Sequence, residues 1–167
     1  SEQSLLIVDP ETGIILSGRL DDYVKLKDEN QKPFVVEVKS TKSISYQKNA
    51  SKEHVMQLQP YLLGTQCQTG YIIYVEKNTM NIKSFEVPFD WNIFRELMKR
   101  ARVLHGHLIN NLLPPAEAKE NPDMKWQCQY MCPYTDECSN NLNVTKDEKT
   151  VVEPPTTDDK GVEFKEI

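Results

Sequence analysis

The chain has 167 residues, which is the length of one ordinary globular domain, and its composition is 38% hydrophobic and 27% charged. That balance excludes a wholly disordered chain, and no apolar run approaches the roughly 18–20 residues that cross a bilayer. The N-terminus also lacks a signal-peptide pattern, so we expect a soluble intracellular protein that contacts no membrane. A net charge of −5 excludes bulk electrostatic coating of nucleic acid, but not an enzyme with local contacts.

The first half of the chain predicts three strands followed by a helix. Apolar and β-branched runs, separated by turn-forming residues such as Pro10 and Gly13, predict strands that we expect to pair as an antiparallel meander. Apolar residues at helical spacing after the N-cap candidate Ser51 predict the helix. In chain order, these elements are strands at residues 4–8, 14–24 and 34–39 and a helix at residues 52–65.

The second half predicts a hairpin, a long helix and a tail. Two strands flank a polar turn, and apolar residues spaced by three and four predict a helix that continues to Pro114. The last segment is rich in acids and lacks apolar periodicity, so we expect it to be disordered. The predicted bounds are strands at 71–75 and 82–87, a helix from residue 91, a folded domain at 1–142 and an acidic tail at 143–167.

Two carboxylates are predicted to meet on one face of the sheet. Glu37 and Lys39 are two residues apart on one strand, so their side chains point the same way, while Val38 points to an opposite face that we expect to be the apolar one. Antiparallel pairing with the preceding strand can bring Asp21 across from Glu37. Converging carboxylates repel each other unless a cation lies between them, and Mg²⁺ suits such oxygen ligands.

Lys39 and a helix supply the remaining candidate groups. The lysine can hold or deprotonate an attacking water, or offset charge on a phosphorane-like transition state. Gln57 and Tyr61 are four residues apart and share a helix face, where an amide and a phenol can orient a carboxylate, a water or a phosphate. His54 lies one turn earlier, and an ordinary surface role is favoured for it over ligation.

Three of the four cysteines, Cys128, Cys132 and Cys138, lie close together in segment 126–138. This clustering favours metal ligation over a disulfide framework, whose pairs would be spread along the chain. Thiolates suit either Zn²⁺ or an iron-sulfur cluster, and spacing alone does not separate the two.

Taken together, these motifs resemble the PD-(D/E)XK nuclease superfamily. They are similar to its RecB-like branch, which has a Q-x-x-x-Y helix motif, and within it to the CRISPR-associated exonucleases whose C-terminal cysteine trio helps to hold a 4Fe-4S cluster. The resemblance spans residues 15–138. The segments that carry it are Gly18-Arg19-Leu20-Asp21, Val36-Glu37-Val38-Lys39, Gln57-Leu58-Gln59-Pro60-Tyr61 and Cys128-Gln129-Tyr130-Met131-Cys132 with Cys138.

The resemblance implies an α/β fold with a restriction-endonuclease-like core, in which helices flank a mixed central sheet and a cysteine-rich segment follows. It implies a metal-dependent DNA exonuclease that acts on single strands or ends, alone or with proteins of DNA repair, recombination or CRISPR adaptation. Asp21, Glu37 and the Val38 carbonyl would hold Mg²⁺ or Mn²⁺. Lys39 would handle the water, Gln57 and Tyr61 would position ligands, and the cysteine trio would hold a 4Fe-4S cluster or, alternatively, Zn²⁺.

Two other functions stay open. The first is a noncatalytic module of the same fold that binds nucleic acid or protein and keeps a structural iron-sulfur or zinc site. The second is a zinc-stabilised interaction domain, since a Glu-x-Lys pair on a strand is usually only a charged surface. Lys42, Lys48 and Lys52 follow the predicted site and fit phosphate contacts as well as they fit an ordinary solvated loop.

Overall fold

The computed structural model describes residues 3–28, 30–114, 116–122, 124–136 and 138. Its described residues divide into two compact units, 3–101 and 102–138. The predicted tail at residues 143–167 lies outside the described residues. The strands are β1 (Gln3–Val8), β2 (Ile15–Leu20), β3 (Asp22–Val24), β4 (Phe34–Thr41), β5 (Thr69–Glu76) and β6 (Ile82–Pro88), and the helices are α1 (Lys52–Gly64), α2 (Trp91–Ile109), α3 (Glu117–Glu120) and α4 (Lys125–Tyr130).

The first unit contains a mixed four-stranded sheet with strand order β3-β4-β5-β6. β4 and β5 are parallel, whereas β3 and β6 run antiparallel to their neighbours. A parallel pair needs a crossover connection, and α1 supplies it between β4 and β5. The chain therefore has the expected α/β architecture, a mixed sheet flanked by helices.

The predicted strand 14–24 is two strands, with Asp21 at the break. β2 pairs with β1 in a separate two-stranded sheet, and β3 pairs with β4. The expected three-stranded meander is therefore wrong. Its physical reason is that the Asp21 carboxylate accepts the Val38 N–H at 2.8 Å, which takes the donor that a continued β3–β4 ladder would use.

The main core lies between α1 and the sheet. Leu58 and Leu62 of α1 are fully buried in one cluster with Val35 of β4 and with Ile72 and Tyr74 of β5. A smaller cluster joins Ile7 of β1 to Phe94 and Met98 of α2.

The buried face of β4 is the one that carries Glu37. Glu37 is 3% exposed and lies on the face that α1 covers, whereas Val38 on the opposite face is 46% exposed. The expectation that Val38 points to the apolar side is therefore wrong. Alternation along a strand separates the two faces of the sheet, but it does not determine which of two mixed faces meets the helix.

Both long helices end in a left-handed residue that is not glycine. After α1, Gln66 has φ 57°, its N–H reaches the Leu63 carbonyl at 3.0 Å, and the Cys67 N–H reaches the Leu62 carbonyl at 2.9 Å. After α2, Asn111 with φ 52° forms the same arrangement, so the helix stops before the predicted Pro114. Among the described helices, none is long and apolar enough to cross a membrane.

Candidate functional site

The β3–β4 register brings Asp21 beside Glu37. Asp22 lies opposite Val36, so the preceding residue falls next to the following one on β4. The exposed Asp21 carboxylate is fixed there because its Oδ2 accepts the Val38 N–H at 2.8 Å. Two carboxylates therefore stand at the point where β2 passes into β3.

Glu37, Lys39 and Gln57 form a closed hydrogen-bonded triangle. Lys39 Nζ donates to Glu37 Oε1 at 2.5 Å and to Gln57 Oε1 at 2.9 Å, and Gln57 Nε2 donates to Glu37 Oε1 at 3.0 Å. A buried carboxylate is costly unless it is paired, and Lys39 supplies the opposite charge. Gln57 bonds both partners and so fixes their relative position.

The second carboxylate oxygen of Glu37 has different surroundings. Oε2 is buried and has no hydrogen-bond partner among the described residues. Leaving a buried acceptor unpaired costs about 1–3 kcal/mol, and more for a charged group. This oxygen is therefore available to bind a cation.

The oxygen atoms at this end of the β3–β4 pairing suit a hard divalent cation. Asp21 directly precedes Asp22, and Glu37 and Val38 follow its pairing partner Val36. Two carboxylates and a backbone carbonyl are oxygen ligands, and Mg²⁺ commonly uses one or two carboxylates and keeps several waters. In the described part of the chain, no group of three or more His, Cys, Asp or Glu side chains is arranged to hold a metal ion. The residues present thus fit a site with two carboxylates and a backbone carbonyl.

Tyr61 packs against the β2 backbone. It is 8% exposed, and a Cβ added to Gly18 would lie 2.5 Å from its Cε1 and 3.1 Å from its hydroxyl oxygen. Gly18 is thus the residue that lets the ring lie over the strand. Gln57 lies one helical turn before Tyr61 on α1. Among the described residues, however, the Tyr61 hydroxyl does not join the hydrogen-bonded triangle of Glu37, Lys39 and Gln57.

His54 is half-buried rather than an ordinary surface residue. Its Nδ1 lies 2.7 Å from the Tyr74 hydroxyl, which also accepts the Ser51 N–H at 3.0 Å. Burial lowers the pKa of His54, the positive charge of Lys39 lowers it further, and Glu53 acts in the opposite direction. The imidazole therefore belongs to the network that fixes the start of α1.

Gln59 is a structural residue to which the sequence assigned no role. It is fully buried, its Nε2 donates to the carbonyls of Val55 and Pro88 at 3.3 and 3.4 Å, and its Oε1 accepts the Asp90 N–H at 2.7 Å. These bonds connect α1 to the junction of β6 and α2. Only its position between two motif residues could have drawn attention to it.

The cysteine trio lies in the second unit, and none of the three forms a disulfide. Cys128 and Cys138 are half-buried and Cys132 is exposed, and the Thr135 hydroxyl lies 2.7 and 3.0 Å from the carbonyls of Cys128 and Cys132. Cys67, by contrast, is buried in the core of the first unit, and burial raises the pKa of its thiol.

Comparison with known proteins shows a likeness of fold. No protein-family model matches the chain, and no curated protein matches it. Among solved structures, the crystal structure of SSO0001 is similar over 80% of this chain, with a TM-score of 0.50 and 22% sequence identity. The match covers 59% of that chain, so this protein spans less than two thirds of its length.

Proposed function

We propose that this chain is a divalent-metal-dependent nuclease that hydrolyses phosphodiester bonds, with a restriction-endonuclease-like core of the PD-(D/E)XK type. One observation carries the proposal: Glu37 is buried beside Asp21, with Oε1 held by Lys39 and Oε2 without a partner among the described residues. A purely structural ion pair would gain nothing from leaving a buried carboxylate oxygen without a partner.

Asp21, Glu37 and the Val38 carbonyl are the groups that would hold Mg²⁺ or Mn²⁺. A bound ion of this kind polarises a phosphoryl oxygen and lowers the pKa of a nearby water. The hydrogen bond from the Val38 N–H keeps one Asp21 oxygen in place and leaves its other oxygen for ligation. The strand geometry thus holds these ligand atoms in place before a substrate binds.

Lys39 would act on the water and on the developing charge. Its ammonium group has three donors, of which Glu37 and Gln57 take two. The third can hold the attacking water or a phosphoryl oxygen, where a fixed positive charge stabilises the transition state. Gln57 positions this lysine, and Tyr61 positions the Gln57 helix against β2 through Gly18.

The proposed substrate is DNA, as single strands or ends, and exonucleolytic action is the favoured mode. This part of the proposal rests on the sequence resemblance, as does a 4Fe-4S cluster, or alternatively Zn²⁺, on Cys128, Cys132 and Cys138. The resemblance also suggests partners among proteins of DNA repair, recombination or CRISPR adaptation, and an intracellular location is proposed from the lack of a signal-peptide pattern.

The test is cleavage of an end-labelled DNA oligonucleotide in Mn²⁺ by the wild type and by variants. Glu37→Gln, Asp21→Asn and Lys39→Met should each lower the rate by about a hundredfold or more. Asp28→Asn, a change to an exposed turn carboxylate, is the matched control and should cleave normally. Undiminished cleavage by Glu37→Gln and Asp21→Asn would show that these two carboxylates are not the catalytic metal site. Binding without cleavage by the wild type would instead favour the noncatalytic module.

A further inference from the structure

The loop between β4 and α1, residues 42–51, joins the two elements that form the candidate site. β4 brings Glu37 and Lys39 to the loop, and α1 carries Gln57 away from it. Residues 40–52 contain three lysines, Lys42, Lys48 and Lys52, and no acidic residue. The loop is therefore locally basic in a chain whose net charge is −5.

The first half of this loop is anchored on the sheet. Ile44 packs against the main core, and its N–H points to Glu76 Oε1 at 3.4 Å. The next anchor is the Gln47 carbonyl, which accepts a hydrogen bond from Lys83 Nζ of β6 at 2.5 Å. Contacts on either side thus hold the backbone of residues 45 and 46.

The second half is anchored as firmly. Ala50 packs against the main core, and the Ser51 N–H donates to the Tyr74 hydroxyl of β5 at 3.0 Å. Tyr74 also contacts His54 of α1, so one phenol connects the loop, the helix and the sheet. A loop held in this way loses little conformational entropy when it binds a partner.

Tyr46 stands out from this anchored loop. Its side chain is 92% exposed, while Ile44 and Ala50 on its two sides turn inward. Every nucleobase has a face that can stack on an aromatic ring, and a groove or loop with positive charge follows the phosphates. In a duplex the base faces are already stacked, so an exposed ring of this kind selects an unpaired base.

We infer that the β4–α1 loop is a surface for single-stranded nucleic acid, on which Tyr46 stacks against a base and Lys42 and Lys48 contact the neighbouring phosphates. The strand would then enter the site from the loop, next to Lys39. This inference rests on the proposed function for its account of why a strand binds there. The binding itself can be measured without cleavage.

The test is binding of a fluorescent oligothymidylate, measured by fluorescence anisotropy in Ca²⁺. The length of the oligonucleotide is checked on a gel to show that it is not cleaved during the measurement. Tyr46→Ala should weaken binding by about five- to 150-fold, the range of one lost stacking contact. Tyr46→Phe keeps the ring and should stay within about twofold of the wild type. Tyr130→Ala, at an 82% exposed tyrosine of α4, is the control and should bind normally.

A second oligomer with abasic sites separates stacking from any general damage to the loop. It keeps the phosphates and lacks the bases, so Tyr46→Ala should bind it as the wild type does. Lys42→Ala and Lys48→Ala should each reduce the salt dependence of binding by about 0.7 in the slope of log K against log salt. Equal affinity of Tyr46→Ala and the wild type for oligothymidylate would overturn the inference, and so would an equal loss on the abasic oligomer.

The two proposals fail in different ways. Binding that depends on Tyr46, without metal-dependent cleavage by the wild type, would leave the loop assignment standing and remove the nuclease. Metal-dependent cleavage together with binding that does not depend on Tyr46 would support the nuclease and overturn the loop assignment.

Discussion

Glu37 has two oxygens with opposite roles. Oε1 accepts hydrogen bonds from Lys39 and Gln57, which offset the burial of the charge. Oε2 is buried without a partner among the described residues. One carboxylate oxygen is therefore held by the fold, and the other is the atom that would bind the metal in the proposed site.

Lys39→Met should destabilise the protein as well as slow cleavage. The substitution leaves Glu37 buried without its charged partner, which costs about 1–3 kcal/mol of unfolding free energy. Urea unfolding measures this cost, and adding Glu37→Gln to Lys39→Met should recover most of it, because an amide needs no counter-ion. Strictly additive losses in the double variant would show that the two side chains are not coupled.

Gly18→Ala should disturb the packing of Tyr61. The new methyl group would lie within 2.5 Å of the ring, so the ring or the strand must move, at about 1–3 kcal/mol. The loss should shrink when Gly18→Ala is combined with Tyr61→Leu, whose smaller side chain leaves room for the methyl group. If the loss in urea unfolding is the same in both backgrounds, the ring does not rest on Gly18.

At the scale of elements, the sequence predicted what depends on local pattern. β4, the β5–β6 hairpin and α1 with its Ser51 N-cap follow from alternation, turn residues and capping, and the Ser51 hydroxyl accepts the His54 N–H at 3.4 Å. The break at Asp21 could not be read this way. It depends on a hydrogen bond to Val38, seventeen residues further along the chain, which only the paired strands create.

The candidate site shows the same division. Strand and helix periods place Glu37 with Lys39 and set Gln57 one turn before Tyr61, and the structure brings the first three together. The packing role of Tyr61, by contrast, needs β2 to pass over α1. A glutamine and a tyrosine that become buried bridges, such as Gln59 and Tyr74, give no local signal, because their partners are distant in sequence.

The start of α1 should lose stability as His54 becomes protonated. Its pKa in the folded state is below the ordinary 6.5, so the unfolded chain binds the extra proton more readily as the pH falls. Unfolding free energy should therefore decrease between about pH 7 and about pH 5, and His54→Gln should flatten that decrease. Two charged groups act on His54: Lys39 lowers its pKa and Glu53 raises it. Glu76, whose pKa is lowered from 4.5 mainly by the Thr79 hydroxyl, titrates below this window.

The measurement is the urea midpoint of the wild type and of His54→Gln across that pH range. An identical pH dependence in both proteins would contradict the assignment of this titration to His54.

At the scale of the whole molecule, the second unit raises a separate question of stability. Its helix α4 buries none of its six residues, so this helix contributes no buried apolar side chain to a core. Cys128, Cys132 and Cys138 lie in and around that helix. A metal or cluster on these thiols would supply the missing stabilisation.

Cys132→Ser should therefore lower the metal content and expose the segment to proteases. The measurements are iron and zinc analysis of anaerobically purified protein and limited proteolysis between residues 116 and 138. Met131→Ser, at the exposed neighbour, is the control and should retain metal and resistance. The metal assignment is wrong if the wild type contains neither iron nor zinc and all three proteins are cut at the same rate.

The central claim is that Asp21 and Glu37 form the metal site of a nuclease, and the most direct test is cleavage of end-labelled single-stranded DNA in different ions. The wild type should cleave in Mg²⁺ and Mn²⁺ and should bind DNA without cleaving it in Ca²⁺, which shares the preference for oxygen ligands but takes more of them at longer and looser distances. Glu37→Gln should cleave more slowly than the wild type by about a hundredfold or more in Mg²⁺ and in Mn²⁺. Equal cleavage in Ca²⁺ and in a chelator, or equal cleavage by Glu37→Gln and the wild type in Mn²⁺, would contradict the account.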